Sequence, residues 1–234
     1  MSATGAEATA IDVLTRAYGG LEARDLIAAM VGTVFPGRIA VASSFGAESA
    51  VLLDLVAQVD SRVPVIFLDT GELFDETRAY RDELERRLGL ADVRPVRPSP
   101  QELRAARELW RTDPDRCCEL RKVLPFGRAA AGFAALIDGR KRAHGFERAQ
   151  LAPFQTDGAW VKISPLWSWS GDDIARAMAE RGLPAHPLVT QGYRSIGCWP
   201  CTRPIQPGEP ARAGRWAGSS KTECGLHIRK NADE

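Results

Sequence analysis

No run of apolar residues in this chain approaches the roughly 20 that a membrane-spanning helix needs; the longest lies around Ala129 to Ile137. No basic segment leads into an apolar stretch at the Met-Ser-Ala-Thr-Gly-Ala-Glu start, so the expectation is a cytoplasmic protein with no membrane partner. Neither sign of charge is in excess. With 31 Lys and Arg against 30 Asp and Glu, the net charge is +1, which argues against bulk attraction to nucleic acid and leaves any basic pocket to be sought locally. Internal repeats and low-complexity blocks are absent. Cysteine is sparse, and its odd count of five argues against a disulfide framework; in a reducing compartment such thiols point to metal ligation or catalysis. On count alone zinc, an iron–sulfur cluster and a catalytic thiol all stay open.

The 234 residues suffice for one sizeable core with a small appendage. Apolar positions recur with helical spacing from Ile11 to Val31, and Arg38 to Ala42 reads as a short buried strand, followed by a small-residue loop and an apolar helix over Ala50 to Val56. A second such unit runs from the strand Val63 to Leu68 into a charged helix from about Leu73 to Leu88, and Val93 to Val96 gives a third strand. Further on, a helix beginning at Asp113-Pro114 reaches about Phe133, strands are expected at Ala134 to Ile137 and Val161 to Ile163, and a helix at Gly171 to Arg181. Alternating strands and helices predict an α/β fold: a doubly wound, mostly parallel sheet flanked by helices, with ligands bound beyond the carboxyl ends of the strands. We expect one domain over residues 1–203. Beyond Arg203 the sequence turns to proline, glycine and serine, which suits a flexible C-terminal tail over 204–234 better than a core.

Three constellations carry chemistry. The loop Ser43-Ser44-Phe45-Gly46-Ala47-Glu48-Ser49 lies between a strand and a helix, where backbone N–H groups and the helix dipole favour a phosphate. It has no Gly-Lys-Ser/Thr ending, and an ordinary strand-to-helix turn would also account for it. The second is the adjacent pair Cys117-Cys118 with the CxxC of Cys198 and Cys201. Neighbouring helical residues diverge by about 100° and grip one small tetrahedral ion poorly. A cubane offers separate irons, so the pair favours a [4Fe–4S] cluster. Lys122, four residues after Cys118, shares its helix face. Arg142 and Arg148, with Arg212 and Arg215, would suit a phosphate or sulfate if they converge. The third is Lys221-Thr222-Glu223-Cys224-Gly225-Leu226-His227, where a thiol between cations has the setting of a nucleophile.

These residues resemble those of the phosphoadenylyl-sulfate reductase family, and within it the iron–sulfur branch of assimilatory adenylyl-sulfate reductases. The resemblance covers about Arg38 to His227. It rests on Cys-Cys-Glu-Leu-Arg-Lys-Val-Leu-Pro, Gly-Tyr-Arg-Ser-Ile-Gly-Cys-Trp-Pro-Cys-Thr-Arg, Arg-Ala-Gly-Arg-Trp and Glu-Cys-Gly-Leu-His. It implies an adenine nucleotide alpha-hydrolase-like sheet, with Ser43 and Gly46 in the pyrophosphate loop and Leu68 in the loop that seats adenosine. It also implies one [4Fe–4S] cluster on Cys117, Cys118, Cys198 and Cys201, with Lys122, Arg148, Arg212 and Arg215 around the phosphosulfate. Gly139 and Arg142 fall in the family's Gly-x-Arg-Arg loop, which departs here at Lys141 and at His144-Gly145. Cys224 matches the catalytic cysteine. The implied reaction is thioredoxin-dependent, or glutaredoxin-dependent, reduction of adenylyl sulfate to sulfite and AMP through an S-sulfocysteine, and a homo-oligomer is compatible with it.

Three other readings are open at this stage. The chain could use the 3′-phosphorylated substrate or both nucleotides. It could be an ATP-pyrophosphatase-type ligase with a zinc site, against which stand the cysteine pair and Phe45. It could also be a cluster-binding sensor, which would need neither the adenosine loop nor Cys224.

Overall fold

Short segments between polar turns, apolar in the inner strands, form the six strands of one sheet in the computed structural model, which describes residues 3–217, 219 and 221–226. The chain begins with α1 (Ala3–Tyr18) and α2 (Ala23–Ala29), then runs β1 (Ile39–Ser43), α3 (Ser49–Asp60), β2 (Val65–Leu68), α4 (Asp75–Leu88) and β3 (Val93–Val96). Four short helices follow: α5 (Pro100–Ala105), α6 (Leu109–Thr112), α7 (Pro114–Cys118) and α8 (Leu124–Ala130). The chain then forms β4 (Ala135–Ile137), β5 (Phe154–Asp157), β6 (Trp160–Ile163) and α9 (Gly171–Glu180). The strands lie in the order β3-β2-β1-β4-β6-β5, all pairs parallel except the β5–β6 hairpin at one edge.

Strand order fixes where a ligand can sit. After β1 the chain winds outward through β2 and β3, then returns to lay β4 on the other side of β1. The loops leaving β1 and β4 therefore diverge, and a crevice opens between them at the carboxyl ends.

Helices cover both faces, so the inner strands read as near-continuous apolar runs. Along β1, Ile39 and Val41 face one layer and Ala40 the other, the two-residue period of a strand. The larger layer packs Leu26, Leu53, Tyr80 and Ile174 against Val65, Phe67 and Ile137. On the opposite face Phe126 and Ala130 of α8 meet Ala40, Ile66 and Leu136.

Two features depart from the sequence reading. The helical pattern from Ile11 to Val31 is broken after Tyr18, where Gly19 and Gly20 end α1; consecutive glycines cost helix too much backbone entropy to be carried through. Strand β5 was not expected: it pairs antiparallel with β6 across a turn at Gly158, whose φ is +58°. Among the described residues the tail forms no helix or strand, and it is joined to the body by backbone hydrogen bonds. The Trp216 N–H donates to Cys201 O at 3.0 Å and Arg203 N–H to Gly214 O at 2.9 Å. No helix among the described residues is long and apolar enough to cross a membrane.

Candidate active site

The loop after β1 is shaped by a residue in an uncommon conformation. Phe45 has a φ of +48°, a left-handed geometry that costs a residue with a side chain about 1–2 kcal/mol. Burial offsets it: the ring is fully enclosed and meets Phe67 edge-on with centroids 5.2 Å apart, while Ser43 Oγ accepts the Phe45 N–H at 3.2 Å. The chain then turns through Gly46 into α3 and leaves Ser43, Ser44 and Gly46 lining a cavity of about 240 Å³.

The loop after β4 forms the facing wall. Ser164 Oγ donates to Asp138 Oδ1 at 2.8 Å, and Arg140 Nε donates to Asp138 Oδ2 at 2.8 Å. Lys141 is 2% exposed and its ammonium pairs with Glu48. His144 bridges two charged groups, with Nδ1 at 2.9 Å from Arg148 Nη1 and Nε2 at 3.0 Å from Glu48 Oε2. Because arginine can only donate, Nδ1 accepts and Nε2 carries the proton given to Glu48. Burial would raise the Glu48 carboxyl, but the His144 and Lys141 contacts outweigh it and hold its pKa at about 2.

Four cysteines approach from two directions. Asp113 caps α7 by accepting the Arg116 N–H at 2.9 Å, and Pro114 sits where a missing N–H is harmless; the helix carries Cys117 and Cys118 at its end. Cys198 and Cys201 flank the turn at Trp199-Pro200. All four line one small cavity, together with Arg121 and Lys122, and all are free thiols. Burial pushes the thiols of Cys117 and Cys201 up. Thr70 Oγ1 stands 3.2 Å from Cys198 Sγ, and Arg121 Nη1 donates to Thr70 O at 2.7 Å, so the loop after β2 closes on this cavity. Among the described residues no three or more Cys, His, Asp or Glu side chains converge as ligands of a metal ion would.

Lys122 and Cys198 line both cavities, and Cys224 lines the larger one. Its sulfur shares a hydrogen bond with Cys118, which lowers the Cys224 thiol well below the ordinary range; burial opposes this, and Lys122 and Arg215 reinforce it. Burial alone would lower Lys122, but the sulfurs of Cys198, Cys224 and Cys118 hold it above the usual lysine range. Lys162 Nζ donates to Leu226 O at 2.6 Å and fixes the end of the described tail. Glu223 is 5% exposed and takes Arg148 at 2.6 and 2.9 Å and Arg212 at 3.4 Å.

Of the side chains singled out from the sequence, Ser43, Gly46, Leu68, Lys122, Gly139, Arg148, Arg212, Arg215 and Cys224 line one cavity. Arg142 does not. Its Nε donates to Leu151 O at 2.7 Å and its guanidinium lies 4.2 Å over the Trp167 ring, while Arg140 and His144 line the wall instead. His227 lies outside the described residues. The roles of Glu48 and Glu223 were not read from the sequence, because each depends on a partner distant along the chain; Arg140 pairs locally with Asp138. Three of the cavity-lining residues, Arg140, Arg215 and Trp216, carry buried side-chain N–H groups that have no partner among the described residues.

Residues 38–204 match the phosphoadenosine phosphosulfate reductase domain family. An adenosine 5′-phosphosulfate reductase of Mesorhizobium japonicum is 46% identical over 228 residues, covering 95% of this chain and 88% of that protein. One of Deinococcus radiodurans is 44% identical over 188 residues, covering 79% and 74%. Among solved structures, a phosphoadenylyl-sulfate reductase of Candida auris in a phosphate complex aligns with a TM-score of 0.69 at 25% identity, over 81% of this chain and 94% of that one. Yeast FAD synthetase, at 20% identity and a TM-score of 0.55 over 82% and 73%, shares the fold. The chain belongs to the phosphoadenosine phosphosulfate reductase family.

Proposed function

We propose that this member of the family reduces adenylyl sulfate to sulfite and AMP in sulfate assimilation. One observation carries the reading: Cys224 lines the crevice between the β1 and β4 loops, in company with Lys122, Arg148, Arg212 and Arg215. A nucleotide at a switch point places its phosphates near the first loop. A sulfonyl group beyond the phosphate then faces the cations and the thiol.

In this reading the Cys224 thiolate attacks the sulfur of adenylyl sulfate. The S–O bond breaks, AMP departs with its electron pair, and an S-sulfocysteine remains. A thiolate of thioredoxin, or of glutaredoxin, attacks Cys224 Sγ and sulfite leaves with the S–S pair. The second thiol of the donor opens the mixed disulfide, so the donor supplies both electrons and Cys224 returns to its starting state. The protein's work is to bring an anionic nucleophile to an anionic electrophile, which the lysine and arginines make feasible by neutralising charge and fixing alignment. Residues 204–234 act as the moving part: closed, they shield the adduct from water, and open, they present it to the donor.

Cys117, Cys118, Cys198 and Cys201 fit a [4Fe–4S] cluster by the chemistry of the donor set, four thiols around one cavity beside two cations. Bound there, the cluster would supply a compact charge and a rigid anchor next to Lys122. With Cys118 committed to iron, Lys122 and Arg215 become the groups that favour the Cys224 thiolate. The reading places the enzyme in the cytoplasm, where its donors are kept reduced.

Mass spectrometry after mixing with adenylyl sulfate tests this. The peptide holding Cys224 should gain one SO₃, and Cys224→Ser should abolish sulfite release while nucleotide binding persists. Sulfite release by that variant, or an adduct on another cysteine, removes the assignment. Turnover on adenylyl sulfate compared with its 3′-phosphorylated form gives the substrate preference.

A further inference from the structure

Beside the thiol stands a carboxylate that the reaction does not use. Glu223 has 6% of its side chain exposed, and its partners Arg148 and Arg212 have 12% and 10%. Arg148 donates Nε to Oε2 at 2.6 Å and Nη2 to Oε1 at 2.9 Å, a two-pronged carboxylate clamp. Arg212 adds a longer contact of 3.4 Å to Oε1. These two arginines line the cavity and have the donor geometry that a phosphate or sulfate would also take. The same Oε1 accepts the N–H of Cys224 at 2.9 Å. One side chain of the tail thus takes two donors of Arg148 and a weaker contact from Arg212, and it ties down the backbone of the neighbouring thiol.

We infer that Glu223 is an internal stand-in for the substrate's outer anionic group: it occupies Arg148 and Arg212 in the free protein, and an arriving anion must displace it, which frees the Cys224 backbone. The inference rests on the reading of the cavity as a nucleotide site and adds a positioning residue to it. A carboxylate and a sulfonate cannot both hold the Arg148 fork, so occupancy of the anion position and the Glu223–Arg148 clamp exclude one another, while Lys162 still holds Leu226 O and keeps the Cys224 segment at the cavity. The Cys224 amide is then held while the site is free of anion and loses its acceptor as the substrate arrives.

Affinity for ADP, whose second phosphate stands in for the sulfonate, can be compared with that for AMP, which ends one anionic group earlier. Neither reacts, so the measurement is independent of turnover. Glu223→Gln keeps the side chain's shape and an oxygen for the Cys224 N–H but gives up the charge. It should bind ADP about tenfold more tightly, the worth of one lost charged hydrogen bond in competition, with AMP affinity little changed. In an Arg148→Ala background the same substitution should give no such gain, because the two anions no longer compete for that fork.

Unchanged or weaker ADP binding by Glu223→Gln overturns the inference, and so does a full gain that persists without Arg148, which would show repulsion through space instead. Hydrogen exchange of the wild-type chain gives a reading free of substitutions. ADP, and not AMP, should speed exchange at the Cys224 amide, whose acceptor leaves; no change overturns the inference. If the wild-type chain binds ADP but these differences are absent, the proposed reaction stands and only this inference falls. If neither nucleotide binds, both fall.

Discussion

Gly197 has no side chain where the guanidinium of Arg215 lies. A Cβ on Gly197 would stand 2.4 Å from Nη2 and 2.7 Å from Cζ of that arginine, well inside any allowed contact. Arg215 is one of the cavity's cations, and its ring partner Trp216 lies 4.4 Å below it. Gly197→Ala therefore cannot leave the guanidinium in place. Since the displaced atoms are the end of a long side chain, the fold should adjust with little loss: Tm nearly unchanged, sulfite formation reduced roughly tenfold or more, as misplacement near an ångström does to an aligned reaction. A large fall in Tm with kcat/KM preserved would contradict this.

How far such a relationship could be read beforehand depends on sequence distance. The inner strands were legible because burial on both faces leaves continuous apolar runs; at one edge Val93–Val96 also forms with the expected bounds. β5 was missed because it is an edge strand of mixed residues, Phe-Gln-Thr-Asp, whose pairing comes from the hairpin. The β1 loop was legible as strand, small residues and helix. What could not be read is convergence: Arg148 meets Arg212 and Glu223 only through the fold. Arg142 shows the limit most plainly. One residue earlier, Lys141 is buried against Glu48, whereas Arg142 is drawn outward by Leu151 O and the Trp167 ring, a choice that basic character alone does not decide.

Glu48 holds the buried Lys141 ammonium and the His144 N–H at once. Glu48→Gln leaves a lysine that is 2% exposed without its counter-charge. Removing one partner of a buried pair is costly, and with Glu48 itself partly open to water we expect a loss of about 2–3 kcal/mol in urea unfolding at neutral pH. The carboxyl's folded pKa is about 2, below the ordinary glutamate value near 4.3. The unfolded chain takes up the proton first on acidification, so the contribution is whole above that value and declines as pH falls toward 2. The variant should lack this portion of the acid dependence. Equal stability of variant and wild type at neutral pH would refute it.

His186 gives a second pH dependence, at milder acidity. The ring is fully buried against Tyr80, with centroids 4.9 Å apart. Nδ1 accepts the Leu188 N–H at 3.2 Å, which leaves Nε2 to donate to Thr77 Oγ1 at 3.0 Å. A proton on Nδ1 would face a donor. Burial accordingly lowers the pKa to about 4, with Glu76 opposing the shift. Since the unfolded imidazole binds a proton near pH 6.5, stability should be complete above that pH and fall by about 3 kcal/mol as pH drops to 4. Urea midpoints between pH 7.5 and 4.5 measure this, and His186→Gln should flatten the slope. A slope in the variant equal to that of the wild type would assign the effect elsewhere.

The four cysteines at the smaller cavity allow a decision between metals. Three of them are nearly buried and Cys201 is half-buried, and burial disfavours the thiolates of Cys117 and Cys201. Thiolates crowded beside one another repel unless a cation is shared among them, so the quartet is costly as anions without metal and unremarkable with it. Two of the four are adjacent on one helix, where their side chains diverge by about 100°, and separate irons of a cubane accommodate that divergence better than one zinc. Protein purified without oxygen should therefore carry about four iron and four sulfide per chain. Cys201→Ser should lower both, and removing the iron should lower Tm, because the anchor between α7 and the Cys198–Cys201 turn is lost with it. One zinc per chain with no sulfide would overturn the cluster assignment and favour a ligase-type zinc site, while leaving the position of Cys224 on the larger cavity as it stands.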